Sequence, residues 1–101
     1  FQAMGPSDRG LVRAIATAAM RRYGLIRQAL TERMARGLPP RSGRLEPILI
    51  AAAAQILVLR TASHAAVDTA VTLAREDGHA RHFADLANAV LRRLAAERDD
   101  I

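Results

Sequence analysis

Ile48-Leu-Ile-Ala-Ala-Ala-Ala-Gln-Ile-Leu-Val-Leu59 is apolar throughout except for Gln55. A half-exposed helix carries one apolar stripe, and a half-exposed strand alternates. This stretch does neither, so it predicts a helix running through the middle of a bundle and covered on all sides by others. It is too short for a bilayer crossing, which takes about 20 residues. Pro47 suits the first position of that helix. Gln55, the one polar interruption, must find hydrogen-bond partners if buried.

Working outward, nothing in the chain alternates with period two, and the spacing predicts helices on both sides of the central one. Ser7 or Asp8 can cap a first helix with Val12, Ile15, Ala16, Ala19 and Tyr23 as its apolar stripe. Gly24 marks a joint. The second helix buries Ile26, Ala29, Leu30 and Met34, with Glu32 and Arg36 as an outer i,i+4 pair. Gly37 stops it, and Pro39-Pro40 prevent continuation into the Arg-containing loop 38–45. Ser63 caps a fourth helix whose inner face is Val67, Ala70, Val71 and Ala74, ended by Gly78. The fifth aligns Phe83, Leu86, Ala87, Val90, Leu91 and Leu94. The fold class is therefore all-α, a bundle of about five helices.

The 101 residues make one domain, and its core must be built from Leu, Ile, Val and Ala, because Phe1, Tyr23 and Phe83 are the only aromatics. Phe1–Pro6 reads as a cloning remnant, 7–96 as the domain, and the acidic tail from Glu97 as fraying into a linker (97–101). No charged-then-apolar leader is visible. The absence of cysteine fits a reducing, cytoplasmic setting and removes thiol chemistry.

Charge is unevenly spread. Residues 1–44 hold nine Arg against Asp8 and Glu32, a balance of +7, while 45–101 hold six Arg against eight acids, a balance of −2. This predicts a basic surface made by the first two helices and the following loop. Arg9 and Arg13 lie one turn apart on the first helix. Arg21 and Arg22 crowd its last turn, where they also complement the helix dipole. Arg41 and Arg44 sit in the loop. Guanidinium forks suit phosphate oxygens, and several on one surface give salt-sensitive affinity for nucleic acid. With Tyr23 and Phe83 both assigned to apolar stripes, rings for base stacking are lacking, so phosphate and shape recognition is expected.

Other constellations carry less. His64 with Asp68, and His79 with His82 and Asp85, offer too few converging ligands for a metal, so no metal site is assigned. Ser7, Ser42 and Ser63 occupy cap or loop positions, and no nucleophile turn or phosphate-cradling Gly loop is present, so no catalytic residue is assigned. Asp85 and Asn88 are placed to hold Arg92 structurally.

His64-Ala65-Ala66-Val67 and Asn88-Ala89-Val90-Leu91-Arg92-Arg93 resemble the last two helices of the NusB-like fold. The version they are most similar to precedes the catalytic domain of 16S ribosomal RNA cytosine-C5 methyltransferases, the RsmB (Sun/Fmu) family. Asp8-Arg9 with Leu11, Arg21 after Ala18-Ala19-Met20, Leu45-Glu46-Pro47 and Gln55-Ile56-Leu57 extend the likeness from about Asp8 to Leu94. Ala18 stands where the family has Gly, and Met20 and Met34 stand where Leu is usual.

The resemblance implies an RNA-binding module that docks ribosomal RNA for a downstream methyltransferase domain. That domain, absent here, would hold S-adenosylmethionine and the catalytic cysteines. It also implies a further helix before Asp8, whose absence would expose core and invite a dimer. Two alternatives stay open: a free-standing NusB-type transcription antitermination factor, and a packing or interaction module without RNA contact.

Overall fold

The central helix is observed, but it is not covered on every side: Glu46, Pro47 and Ala51 face an open groove. α3 (Leu45–Ala54) buries Leu45, Leu49, Ile50 and Ala52–Ala54 between its neighbours. The computed structural model describes residues 6–101, arranged as α1 (Pro6–Arg21), α2 (Tyr23–Glu32), α3, α4 (Ser63–Glu76) and α5 (Ala84–Ala96), with no strand among the described residues. Residues 1–5 of the expected remnant lie outside the described residues, and α1 is described from Pro6. The fold is the all-α bundle of about five helices expected.

The central segment departs from one continuous α-helix. At Gln55–Leu59 it widens into a π turn, closed by Arg60 in the left-handed region at φ 54°. The Gln55 carbonyl accepts the amides of Arg60 and Thr61 together with the Thr61 hydroxyl, so the helix end is satisfied by its own backbone. Gln55 Nε2 donates back to the Ala51 carbonyl at 3.2 Å, the partner its half-buried amide requires.

α4 and α5 form an antiparallel hairpin over this helix. Ala66, Val67, Ala70, Val71 and Ala74 face Ala87, Val90, Leu91 and Leu94, all buried. These small and branched residues let the helix axes approach closely. α2 contributes Ile26, Ala29 and Leu30, and Met34 is buried just beyond its end.

Several local expectations are corrected. The joint between α1 and α2 falls at Arg22, not Gly24. α1 begins before Ser7 and Asp8, which therefore cannot cap it. Pro47 occupies the third helical position, still within the turn whose amides lack partners. Ala62 rather than Ser63 caps α4, and extended Asp77 rather than Gly78 ends it. α2 stops at Glu32, so Arg36 is off the helix and Glu32 accepts from Gln28 Nε2 at 2.9 Å instead. Gly37, at φ 68°, shapes the loop beyond.

The tail does not fray among these residues. Glu97 accepts from Arg33 Nε at 2.9 Å and from Arg93 Nε at 3.2 Å, and Asp99 pairs with Arg60.

The largest correction concerns α1. Its expected apolar stripe is core only in part: Ala19 packs half-buried against the core, but Val12, Ile15, Ala16, Ala19 and Tyr23, with Met20 beside them, form one wall of an open groove of about 600 Å³. Glu46, Pro47, Ile50 and Ala51 of α3 form the other. Met20 is 81% exposed and Tyr23 46%, while Ala18, one position round the helix, is the residue that buries. Ala18 is buried and Ala19 packs half-buried against the core, while larger side chains on the same helix stay uncovered. No described helix is long and apolar enough to cross a membrane.

Candidate nucleic-acid interface

Three contacts decide which end of the bundle each arginine reaches. Tyr23 Oη donates to Glu46 Oε1 at 3.3 Å and Arg27 Nε to the same oxygen at 3.1 Å, holding the α1–α2 joint against the first turn of α3. The Arg44 amide, just before that turn, donates to Asp77 Oδ2 at 3.4 Å, bringing in the end of α4. One end of the molecule therefore gathers the joint, the loop before α3 and the turn between α4 and α5.

Of the six arginines singled out by sequence, four belong to this end: Arg21 and Arg22 at the joint, Arg41 and Arg44 in the loop. All four are exposed, and none has a carboxylate within ion-pair distance among the described residues. Arg9 and Arg13 are exposed too, but α1 carries them toward the opposite end. Twelve residues separate Arg9 from Arg21, about 18 Å at the helical rise. There they lie toward the π turn, against which α1 packs. The expected single basic surface is thus drawn as two separate groups, and Arg22 points well round the helix from Arg9 and Arg13 at about 100° per residue.

Asp77 is the device that builds the basic end. Its Oδ2 also accepts the Ala80 amide at 2.9 Å and the His79 amide at 3.2 Å. Three amides from two segments thus converge on one carboxylate oxygen. The Ala80 hydrogen bond most strongly, then those of Arg44 and His79 and the Arg44 charge, hold the Asp77 carboxyl below its ordinary range against a partial desolvation. Gly43 makes the approach possible. Its φ is 60°, and a Cβ there would collide with Asp77 Oδ2 and press on His79 Cβ.

The clamp sets His79 beside Gly43 and presents Arg81 and His82 from the 3-10 turn Ala80–Phe83, all exposed. Arg81, His79 and His82 were not assigned to the basic surface by sequence. The signal was Asp77 followed by free amides two and three residues on, opposite a glycine. Of the acids at this end, Glu46 is occupied by Tyr23 and Arg27 and Asp77 by the three amides, while Glu76 and Asp85 stay solvated. Positive side chains gathered in this way can neutralise several phosphates at once.

Arg33 and Arg92 are structural. Arg33, 11% exposed in its side chain, binds Glu97 and donates to the Ala29 carbonyl at 3.0 Å. Arg92 donates through Nε to Asn88 Oδ1 at 2.9 Å, so Asn88 holds it, without Asp85. Among the described residues no group of three or more His, Asp or Glu side chains converges as a metal site would require.

A family model described as NusB family matches residues 1–96. The chain is 42% identical over 92 residues to the ribosomal RNA small subunit methyltransferase B of Xanthomonas campestris pv. campestris, covering 91% of this chain and 21% of that protein. It is 40% identical over 91 residues to the protein of the same name from Xylella fastidiosa, covering 90% of this chain and 21% of that one. The chain thus spans about a fifth of the length of these relatives. No solved structure gives a significant match.

Proposed function

Since the chain belongs to the NusB family, we propose that it is the RNA-docking module of a small-subunit ribosomal RNA cytosine-C5 methyltransferase. In this reading it is non-catalytic, and the methyl donor S-adenosylmethionine and the reacting cysteines belong to the rest of the polypeptide, in the cytoplasm. The observation that carries the reading is the assembly at one end of Arg21, Arg22, Arg41 and Arg44 with His79 and Arg81 around the Asp77 clamp. The guanidinium groups of these arginines contact ribosomal RNA phosphates, raising the local concentration of target for the tethered catalytic domain. Arg9 and Arg13 form a second, smaller contact strip on α1.

The test is binding of the chain to small-subunit ribosomal RNA fragments across a salt series. A docking surface gives a log–log slope of several units. Weak binding indifferent to salt instead favours a packing module without RNA contact. A reading frame that ends with this domain, with no methyltransferase domain fused to it, favours the antitermination factor.

A further inference from the structure

Between α4 and α5, on the flank of the hairpin that begins at the basic end, lies a polar cleft of about 410 Å³. α4 lines it with Asp68, Thr72 and Arg75, one turn apart, above Val71; α5 lines it with Asp85, Asn88 and Arg92. The helices run antiparallel, so Arg75 and Asp85 share the half nearest the turn, and Asp68 and Arg92 the half farthest from it. Opposite charges thus face each other across the groove. Here neither pair closes: Asp68, Arg75 and Asp85 make no hydrogen bond or ion pair among the described residues, and Arg92 is turned toward Asn88. A carboxylate and a guanidinium are left facing one shared space, each with its bidentate capacity unused.

We propose that this cleft binds an unpaired guanine base of RNA, a proposal that rests on the docking reading for its RNA. Guanine is the base whose edge presents two donors in line, N1–H and the N2 amine, to fill a carboxylate. It also presents two acceptors, O6 and N7, to fill a guanidinium fork. Asp85 accepts from N1–H and N2–H, Arg75 donates to O6 and N7, and Val71 supplies the apolar floor. The adjoining Arg81 and His79 stand where the phosphates flanking such a base would pass. No aromatic ring lines the cleft, so discrimination comes from the base edge and not from stacking.

The test measures fluorescence anisotropy of the whole chain with uridine hexanucleotides carrying one guanine, adenine, inosine or 7-deazaguanine. The guanine strand is expected to bind about tenfold tighter than the others, since inosine lacks the N2 amine and 7-deazaguanine lacks N7. Asp85→Asn should abolish the preference over inosine, and Arg75→Ala the preference over 7-deazaguanine. Arg44→Ala should weaken all four strands alike. In parallel, GMP but not AMP should shift the NMR signals of the Val71 methyls, a readout independent of phosphate docking. Equal affinity for the four strands with salt-dependent binding retained overturns the guanine site and leaves the docking reading standing. Loss of salt-dependent binding to every strand, with the GMP shifts present, overturns docking and leaves the site. Absence of both overturns the two together.

Discussion

Asp77 Oδ2 accepts the Arg44 amide at 3.4 Å across 33 residues of sequence, fastening the arginine loop to the turn between α4 and α5. The bond passes over Gly43, whose missing side chain is what lets the two segments touch. Gly43→Ala is therefore expected to destabilise the protein by roughly 2–3 kcal/mol, from a left-handed φ forced on alanine and displacement of the carboxylate. Gly10→Ala on exposed α1, where a Cβ meets nothing within 4 Å, should instead stabilise by about 0.5–1 kcal/mol. Urea denaturation of the pair checks both signs.

The same carboxylate fixes a pH dependence. Its folded pKa is depressed, first by the Ala80 amide, so its contribution to stability is fully present above the ordinary carboxylate value. That contribution is lost as pH falls below this value, through the folded pKa. Thermal melts between pH 6 and pH 2 should show Asp77→Asn with a lower Tm at the upper end and a shallower fall at the acid end. Parallel profiles for the two proteins would contradict the clamp.

Most of the fold is legible in the sequence because burial leaves a plain pattern. The all-round apolarity of Ile48–Leu59 locates the central helix, and the spacing of Val67, Ala70, Val71 and Ala74 locates the inner face of α4. What escapes are features set by a partner far along the chain. The stripe Val12–Tyr23 has the right period for a core face, yet periodicity records an apolar flank without saying whether anything covers it. The π turn is invisible because Gln55–Leu59 is as apolar as the helix before it. For the interface, counting charges finds the excess of arginine in the first half. It does not show that α1 runs antiparallel to α3, separating Arg9 and Arg13 from the other four. Nor does it reveal that Gly43 and Asp77 recruit His79 and Arg81 from the second half.

Core and groove should respond oppositely to truncation. Leu91→Ala, at a fully buried position in α5, is expected to cost about 2–5 kcal/mol. Met20→Ala, on the open groove wall at 81% exposure, should change stability by no more than about 0.5 kcal/mol. Chemical denaturation of the two single variants separates them.

Two of the long-range ion pairs among the described residues also differ in environment. Arg33–Glu97 at 2.9 Å joins a side chain 11% exposed to one 37% exposed, with the Ala29 carbonyl as a further acceptor. Arg27–Glu46 at 3.1 Å joins two well-solvated side chains. A double-mutant cycle for Arg27–Glu46 should give under about 1 kcal/mol, weakening with salt. That for Arg33–Glu97 should be larger and less sensitive to salt. Equal coupling energies would contradict this contrast.

The most direct measurement of RNA docking compares salt slopes after charge removal at the two ends of the bundle. Arg41→Ala with Arg44→Ala, and Arg21→Ala with Arg22→Ala, should each flatten the log–log slope for a ribosomal RNA fragment by about 0.7–0.9 per lost phosphate contact. Arg9→Ala with Arg13→Ala should flatten it less. Slopes indistinguishable from the unaltered chain after both basic-end substitutions would contradict docking through the surface that Asp77 assembles.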